Sequence, residues 1–329
     1  MGDVAMTVPV LRAFTTQNPN IKVTVVSRKF FKPFFNAIPN LTFFEFDDKI
    51  RHKGFFGLIR LFRDLQKLDI DLFADLHNVL RSKIIGLLFK LNGKKTATVD
   101  KGRAEKKALT QPENKTFKQL TSMFDRHCAV FRKLGFEIDL SYPEFPEKAI
   151  LDEEILSLIQ NNNQKLIGIA PFAQYESKVY PKNLMQQVID ELSKNKNHKI
   201  LLFGGGKLES EQLDIFASNK ENVINCAQKL SFEQELKLIS NLDIMLSMDS
   251  GNAHIAAMFG VKVITLWGAT HPFAGFSPFN QPLENSITSD RDLFPKLPTS
   301  VYGNKIVENY QDAMRTISVN EIVSRMALV

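Results

Sequence analysis

One stretch, residues 242–278, constrains the fold more than any other. Residues 242–247 form a short apolar run, and Met248-Asp249-Ser250-Gly251-Asn252-Ala253-His254 follows as a loop of small and polar residues. A helical segment over 255–259 ends at Gly260. A second apolar run, 261–266, leads into Trp267-Gly268-Ala269-Thr270-His271-Pro272. Strand, loop, helix, strand, loop is a βαβ unit, which places the chain in the α/β class with a parallel sheet. In such sheets ligands bind at the loops that leave the carboxyl ends of the strands.

The first of these loops has the chemistry of an anion site. Ser250 suits a helix N-cap, and Gly251 lets a ligand approach the backbone. Amide N–H groups of the next turn lie at the positive end of the helix dipole and suit a phosphate. Asp249 can accept hydrogen bonds from sugar hydroxyls, and His254 can donate to the same ligand. A capped helix with a surface histidine fits the spacing equally well.

Asp249 to His254, Trp267 to Pro272 and Gly275-Phe276-Ser277-Pro278 together resemble the heptosyltransferases, glycosyltransferase family 9, which build the inner core of lipopolysaccharide. The resemblance covers nearly the whole chain. It implies a GT-B fold, with two Rossmann-like domains facing each other across a cleft. Residues 1–145 would form the acceptor-side domain, and 146–307 would bind the nucleotide sugar. A terminal helix over 308–329 would return to the first domain. The implied reaction is inverting and needs no metal or other cofactor. Its substrates would be an ADP-linked sugar donor and an anionic glycolipid acceptor, met at the cytoplasmic face of the inner membrane by a peripherally bound enzyme.

Composition fits this picture. Of 329 residues, 44% are hydrophobic and 24% charged, the balance of a globular protein long enough for two domains. No apolar run approaches the roughly 20 residues that span a bilayer, and the first residues lack a secretory pattern. Cys128 and Cys226 stand far apart, in no metal spacing, and read as reduced cytosolic thiols. The net charge of +6 conceals an asymmetry: Lys and Arg exceed Asp and Glu over 1–150, and the remainder is net acidic. The first half therefore suits an anionic partner. A phosphorylated lipid or membrane surface fits, whereas no nucleic-acid motif is present.

The chain opens inside the loop that the family places after its first strand, as Met1-Gly2-Asp3. The expectation is that a strand of about eight to ten residues is missing ahead of it. Asp3 matches the family's general base, which would take the proton from the attacking acceptor hydroxyl. A neighbouring α-amino group would weaken it in that role.

Alternation predicts strands at 21–26, 41–46 and 71–76, and helical spacing of Phe55, Leu58, Ile59, Phe62 and Leu65 predicts an amphipathic helix over 54–68. Its other side is basic, which suits either solvent or an anionic lipid surface. His77, Asn78 and Arg81 follow a strand and are the acceptor-binding candidates. Asp69-Ile70-Asp71 spells a metal-binding pattern of another transferase architecture, but it spans an element boundary and reads as coincidence. Residues 94–118 read as a long basic loop, 117–134 as a helix, and 141–146 as the linker.

In the second half, strands are expected at 165–171, 198–203 and 222–225. Lys178 precedes an aromatic-Pro pair, where the family places a lysine on the donor diphosphate. Gln174 and Ala173 stand where hydroxyl residues are usual, with Ser177 available to compensate. Gly204-Gly205-Gly206 lacks the third glycine of a dinucleotide fingerprint, because position 209 is Glu209. Glu209 or Glu211 would meet the base and ribose. The donor set is thus Lys178, Glu209, Asp249, Ser250, Gly251, Asn252, His254, Thr270 and His271. Competing readings are a nucleotide-sugar epimerase of the same fold and a non-catalytic nucleotide-sugar binding module.

Overall fold

The structure is a computed structural model that describes residues 1–160, 164–305 and 307–327. It divides into two compact units. The first comprises Met1, 3–103 and 121–144; the second comprises Gly2, 104–120 and 145–329.

The first unit runs α1 (Gly2–Ala5), α2 (Thr7–Gln17), β1 (Val23–Ser27), β2 (Leu41–Glu45), α3 (Gly54–Gln66), β3 (Leu72–Asp75), α4 (Leu80–Leu91) and β4 (Lys95–Thr98). The helix α5 (Arg103–Thr110) leads away, and α6 (Met123–Leu134) completes the unit. β1 pairs with β2 and β3 with β4, both in parallel. The two pairs are separate sheets among the described residues. Leu58, Leu61 and Leu65 of α3 close a cluster with Ile85 and Phe89 of α4, against Phe44 and Phe73 of the strands. Here the expected helical face shifts by one side chain, since Phe55 lies outside the core. On α2, Phe14 packs at 4.5 Å from Phe131 of α6. Ser122 caps α6 by accepting the Asp125 N–H, and Gly135, at φ +109°, ends it.

The second unit continues with α7 (Glu153–Ile159), β5 (Lys165–Ala170), α8 (Lys182–Ser193), β6 (His198–Leu202), α9 (Gly206–Ala217) and β7 (Val223–Asn225). Then come α10 (Phe232–Ser240), β8 (Ile244–Met248), α11 (Gly251–Met258), β9 (Lys262–Trp267), β10 (Ser286–Thr288) and α12 (Val319–Met326). Six parallel strands form one sheet in the order β10-β9-β8-β5-β6-β7. Every residue of β8 is buried, as is all of β5 after Lys165. Sheets covered on both faces read as continuous apolar runs, which is why these strands were visible in the sequence.

Three expectations change. The long basic loop holds β4 and α5, and residues 104–120 belong to the second unit. There Leu109, Leu120 and Phe117 pack with Phe273, Ala274 and Phe276. The helix expected over 117–134 starts only at Met123, where its cap lies. Finally, the terminal segment is a single 3-10 turn, Ala313–Thr316, followed by α12, which buries Ile322 and Met326 in the second unit's core beside α8. The last two residues of the expected helix lie outside the described residues.

Tyr180 ties this tail to the sheet. Its ring is fully buried, and its hydroxyl donates to the Ile317 carbonyl at 2.8 Å. Tyr180→Phe is expected to cost about 1–2 kcal/mol, because a buried carbonyl loses its donor, as read by urea unfolding.

Candidate functional site

In the second unit the strand order reverses direction between β5 and β8. Chain building runs outward one way through β6 and β7 and the other way through β9 and β10. A crevice opens at the carboxyl ends of the strands at such a switch point. The loop after β5 carries Lys178 and the loop after β8 carries Asp249. They meet: Nζ of Lys178 lies 3.0 Å from Oδ2 of Asp249, and both side chains are nearly buried. An ammonium has three donors, so one bond to Asp249 leaves two for a ligand.

α11 begins two residues after Asp249. Ser250 is extended, as an N-cap should be, but its side chain makes no capping bond. Its hydroxyl lies 3.2 Å from that of Ser247 instead. No acidic residue occupies the first turn of α11. The leading amides are therefore left uncovered by side chains, next to a lysine, which is the arrangement that attracts phosphate. His254 is buried in this helix, and Asn252 is half-buried beside it.

The loop after β9 closes against the Lys178 segment. Ala269 N–H donates to the Ser177 carbonyl at 3.0 Å, and a Cβ on Gly268 would lie 2.3 Å from that same oxygen. Only glycine permits this approach. Trp267 Nε1 and Thr270 Oγ1 are buried without a hydrogen-bond partner among the described residues. Such groups are costly to leave dry, and they mark places where a ligand or water completes the bonding.

His271 is held by its own loop and by aromatic neighbours. Its Nδ1 accepts the Phe273 N–H at 3.1 Å, and its ring lies edge-on to Phe117 and Phe273. Burial, helped by Arg291 and Lys115, pushes its pKa down to about 4. It is a neutral wall residue. Lys115 donates to the carbonyls of Lys296 and Pro298, and burial beside Arg291 lowers its pKa to about 8. The Arg291 guanidinium sits 3.4 Å from the centre of the Phe117 ring.

Glu209 fixes the glycine turn: its Oε2 accepts the Gly205 N–H at 2.6 Å. Glu211 faces Lys207 at 3.8 Å. Ser177 does not substitute for the missing hydroxyls, since its Oγ donates to the Gly303 carbonyl. Gly303 was not anticipated. At φ +84° it lies so close to Lys178 that a Cβ would be 2.5 Å from its side chain. With Ser300, which accepts the Gly303 N–H, it clamps the lysine stem. The only sequence signal was a glycine in an irregular stretch.

The first unit holds the remaining candidates. Asp3 lies in the first turn of α1, exposed, with Oδ2 3.9 Å from His77 Nε2. Burial, with Lys101 adding to it, lowers the His77 pKa from its usual 6.5. Burial also lowers the Met1 ammonium, which has Asp3 as its nearby countercharge. At the end of β3, buried Asp75 accepts the backbone N–H groups of His77 and Asn78 and the Ser82 hydroxyl. This carboxylate shapes the turn. Asn78 spends its amide on the Val99 carbonyl, and Arg81 reaches Asp48 and the Phe46 ring. Of the three acceptor candidates, only His77 stands at Asp3. Sequence reading missed His127, fully buried on α6 and pushed down to about 4 by burial, with Asp3 opposing the shift. A histidine in an amphipathic helix gives no sign of such a neighbour.

Among the described residues, no group of three His, Cys, Asp or Glu side chains could hold a metal ion. The sequence profile of glycosyltransferase family 9 (heptosyltransferase) matches residues 58–303, three quarters of the chain. The chain belongs to this family. It is a glycosyltransferase of GT-B fold. It is similar to lipooligosaccharide heptosyltransferase 2 of Campylobacter jejuni, 26% identical over 304 residues that cover 90% of this chain and 87% of that one. A family 9 structure from Veillonella parvula superposes with a TM-score of 0.74 at 18% identity, covering 99% of this chain and 93% of the other. The Escherichia coli heptosyltransferase WaaC with ADP gives 0.67, also at 18% identity, with 99% and 96% covered. Of the stretches that carry the resemblance, 249–254 follows β8 at the switch point of the transferase's second unit, and 267–272 and 275–278 lie at and beyond the end of the neighbouring β9.

Acid should destabilise the transferase partly through His271. Its folded pKa lies below the unfolded value, so the unfolded chain takes up the proton first as pH falls. The contribution is intact above about 6.5 and is lost progressively toward pH 4, at about 1.4 kcal/mol per pH unit. Urea unfolding across this range should give a shallower slope for His271→Asn. Glu235, which burial raises to about 7, titrates in the opposite sense and cancels in the comparison.

Proposed function

We propose that this transferase moves heptose from an ADP-linked donor onto a lipopolysaccharide-core acceptor, with inversion at the anomeric carbon. The observation that carries this reading is the Lys178–Asp249 pair beside the uncapped start of α11 at the sheet's switch point. Lys178 and the amides of Gly251 and Asn252 hold the diphosphate and stabilise the charge that develops as it leaves. Asp249 orients the lysine and accepts from donor hydroxyls. His254 and Thr270 line the donor site, His271 walls it, and Glu209 fixes the turn next to it. Asp3 takes the acceptor proton, with His77 as its neighbour. The positive charge opposite the diphosphate is Lys178, so no metal or cofactor is assigned a step.

Support for the donor comes from the family match and from the structural neighbour whose structure contains ADP. Support for the acceptor comes from relatives that act on lipooligosaccharide. Such an acceptor places the enzyme at the cytoplasmic surface of the inner membrane, bound peripherally. No described helix is long and apolar enough to cross a membrane.

Calorimetric titration of ADP, UDP and GDP tests the donor site. ADP should bind best, and Lys178→Ala should lose about 1–3 kcal/mol, as for a charged hydrogen bond. Tighter binding of UDP or GDP would remove the heptosyl assignment. Asp3→Asn should lower kcat by about 10²–10⁴-fold while ADP affinity stays the same, the signature of a lost general base.

A further inference from the structure

The first unit carries a rigid apolar projection that the transfer chemistry does not use. It comprises the turn over 47–53 and the first turn of α3. The Asp47 carboxylate accepts the backbone N–H groups of Lys49, Ile50 and Arg51 at 2.9–3.1 Å, and these bonds hold its pKa below the usual carboxylate value. The Asp47 N–H donates to Nδ1 of His52, which is buried and stacked on Phe46. Arg51 grips Asp64 of α3 through two nitrogens, and Arg60 donates to the Arg51 carbonyl. At Gly57 a Cβ would lie 2.2 Å from the His52 carbonyl carbon, so helix and turn touch backbone to backbone.

On this frame three large apolar side chains stand in solvent: Ile50 at 82%, Phe55 at 63% and Phe56 at 82% exposure. The two phenylalanine rings lie 5.9 Å apart, edge to face. Lys49 and Lys53 are exposed next to Ile50 and α3 in the chain, and Arg60 and Arg63 are exposed further along α3. The local carboxylates are already engaged: Asp47 with amides, Asp48 with Arg81 and Asp64 with Arg51. An exposed apolar trio flanked in the chain by Lys49 and Lys53, with the nearby acids engaged, complements an anionic bilayer, whose interface takes the rings while its headgroups take the charges. Lysine is depleted at protein–protein interfaces, which argues against a protein occupant.

We propose that Ile50, Phe55 and Phe56 form a wedge that inserts into the headgroup region of an anionic membrane, with Lys49 and Lys53 reading its charge. The wedge deepens the membrane reading above, and its choice of occupant rests on the glycolipid acceptor assigned there.

Co-sedimentation of the full chain with vesicles tests this. Vesicles of phosphatidylglycerol and phosphatidylethanolamine should bind it, and phosphatidylcholine vesicles should bind it more weakly. The combined variant Ile50→Ser, Phe55→Ser, Phe56→Ser should lose about tenfold or more in vesicle affinity with unchanged ADP binding and melting. Lys49→Glu with Lys53→Glu should abolish the preference for anionic vesicles. Leu87→Ser with Leu91→Ser, on equally exposed residues of α4, should bind as the parent does. The proposal is overturned if the parent ignores anionic vesicles, or if the wedge variant binds them undiminished. Equal loss in the α4 variant overturns it too, as does a wedge variant that turns a dimer into a monomer in sedimentation velocity, since the occupant is then a second copy. A change in nucleotide preference would remove the donor assignment and leave the vesicle result standing, so the two readings fail separately.

Discussion

The second unit depends on one ion pair held at the reversal of its sheet. Lys178 and Asp249 come from loops separated in sequence by three strands, and only the switch-point topology brings them to 3.0 Å. Removing two charges from water is expensive unless their geometry is good and further bonds follow. The surroundings supply that geometry. Gly303, held by Ser300, lies against the lysine stem, Gly268 admits the Ser177 carbonyl, and the α11 amides extend the positive potential. A diphosphate entering here meets a cation that is already oriented, so little ordering remains to be done on binding.

The parallel sheet of the second unit was legible because buried strands are apolar throughout, and the strand-to-helix junction over 248–254 was legible because its small and polar residues interrupt that pattern, although α11 already starts at Gly251. What escaped notice shares a physical cause. β4, Lys95-Thr96-Ala97-Thr98, and β10, three residues long, carry no apolar run, being edge strands of their sheets. α5 is mostly polar and buries Lys106 and Thr110 beside Leu109, and it joins the second unit through aromatic contacts distant in sequence.

Site residues divided in the same manner. Positions fixed by one loop, such as Asp249 and Ser250, could be placed from local order. Roles set by partners far along the chain could not. Glu209 bonds four residues back to Gly205, while Gly303 packs against Lys178, 125 positions away in the numbering. Asn78 lies in the turn after β3 and Arg81 in the first turn of α4, and Val99, Asp48 and Phe46 claim their side chains.

The first unit's strands form two separate parallel pairs, whereas the second unit's six form one continuous ladder. Each pair ends in unpaired edges, and β1 and β2 hold no fully buried residue. Local opening is governed by how many bonds and apolar contacts break together. The protein therefore consists of two cooperative regions of unequal firmness. Amide protons of β5 and β8 should report the global unfolding energy, whereas those of β1 and β3 should exchange through small local openings. The unit proposed to hold the nucleotide has the continuous sheet, and the unit proposed to receive the larger and more variable acceptor has the freedom to adjust its shape.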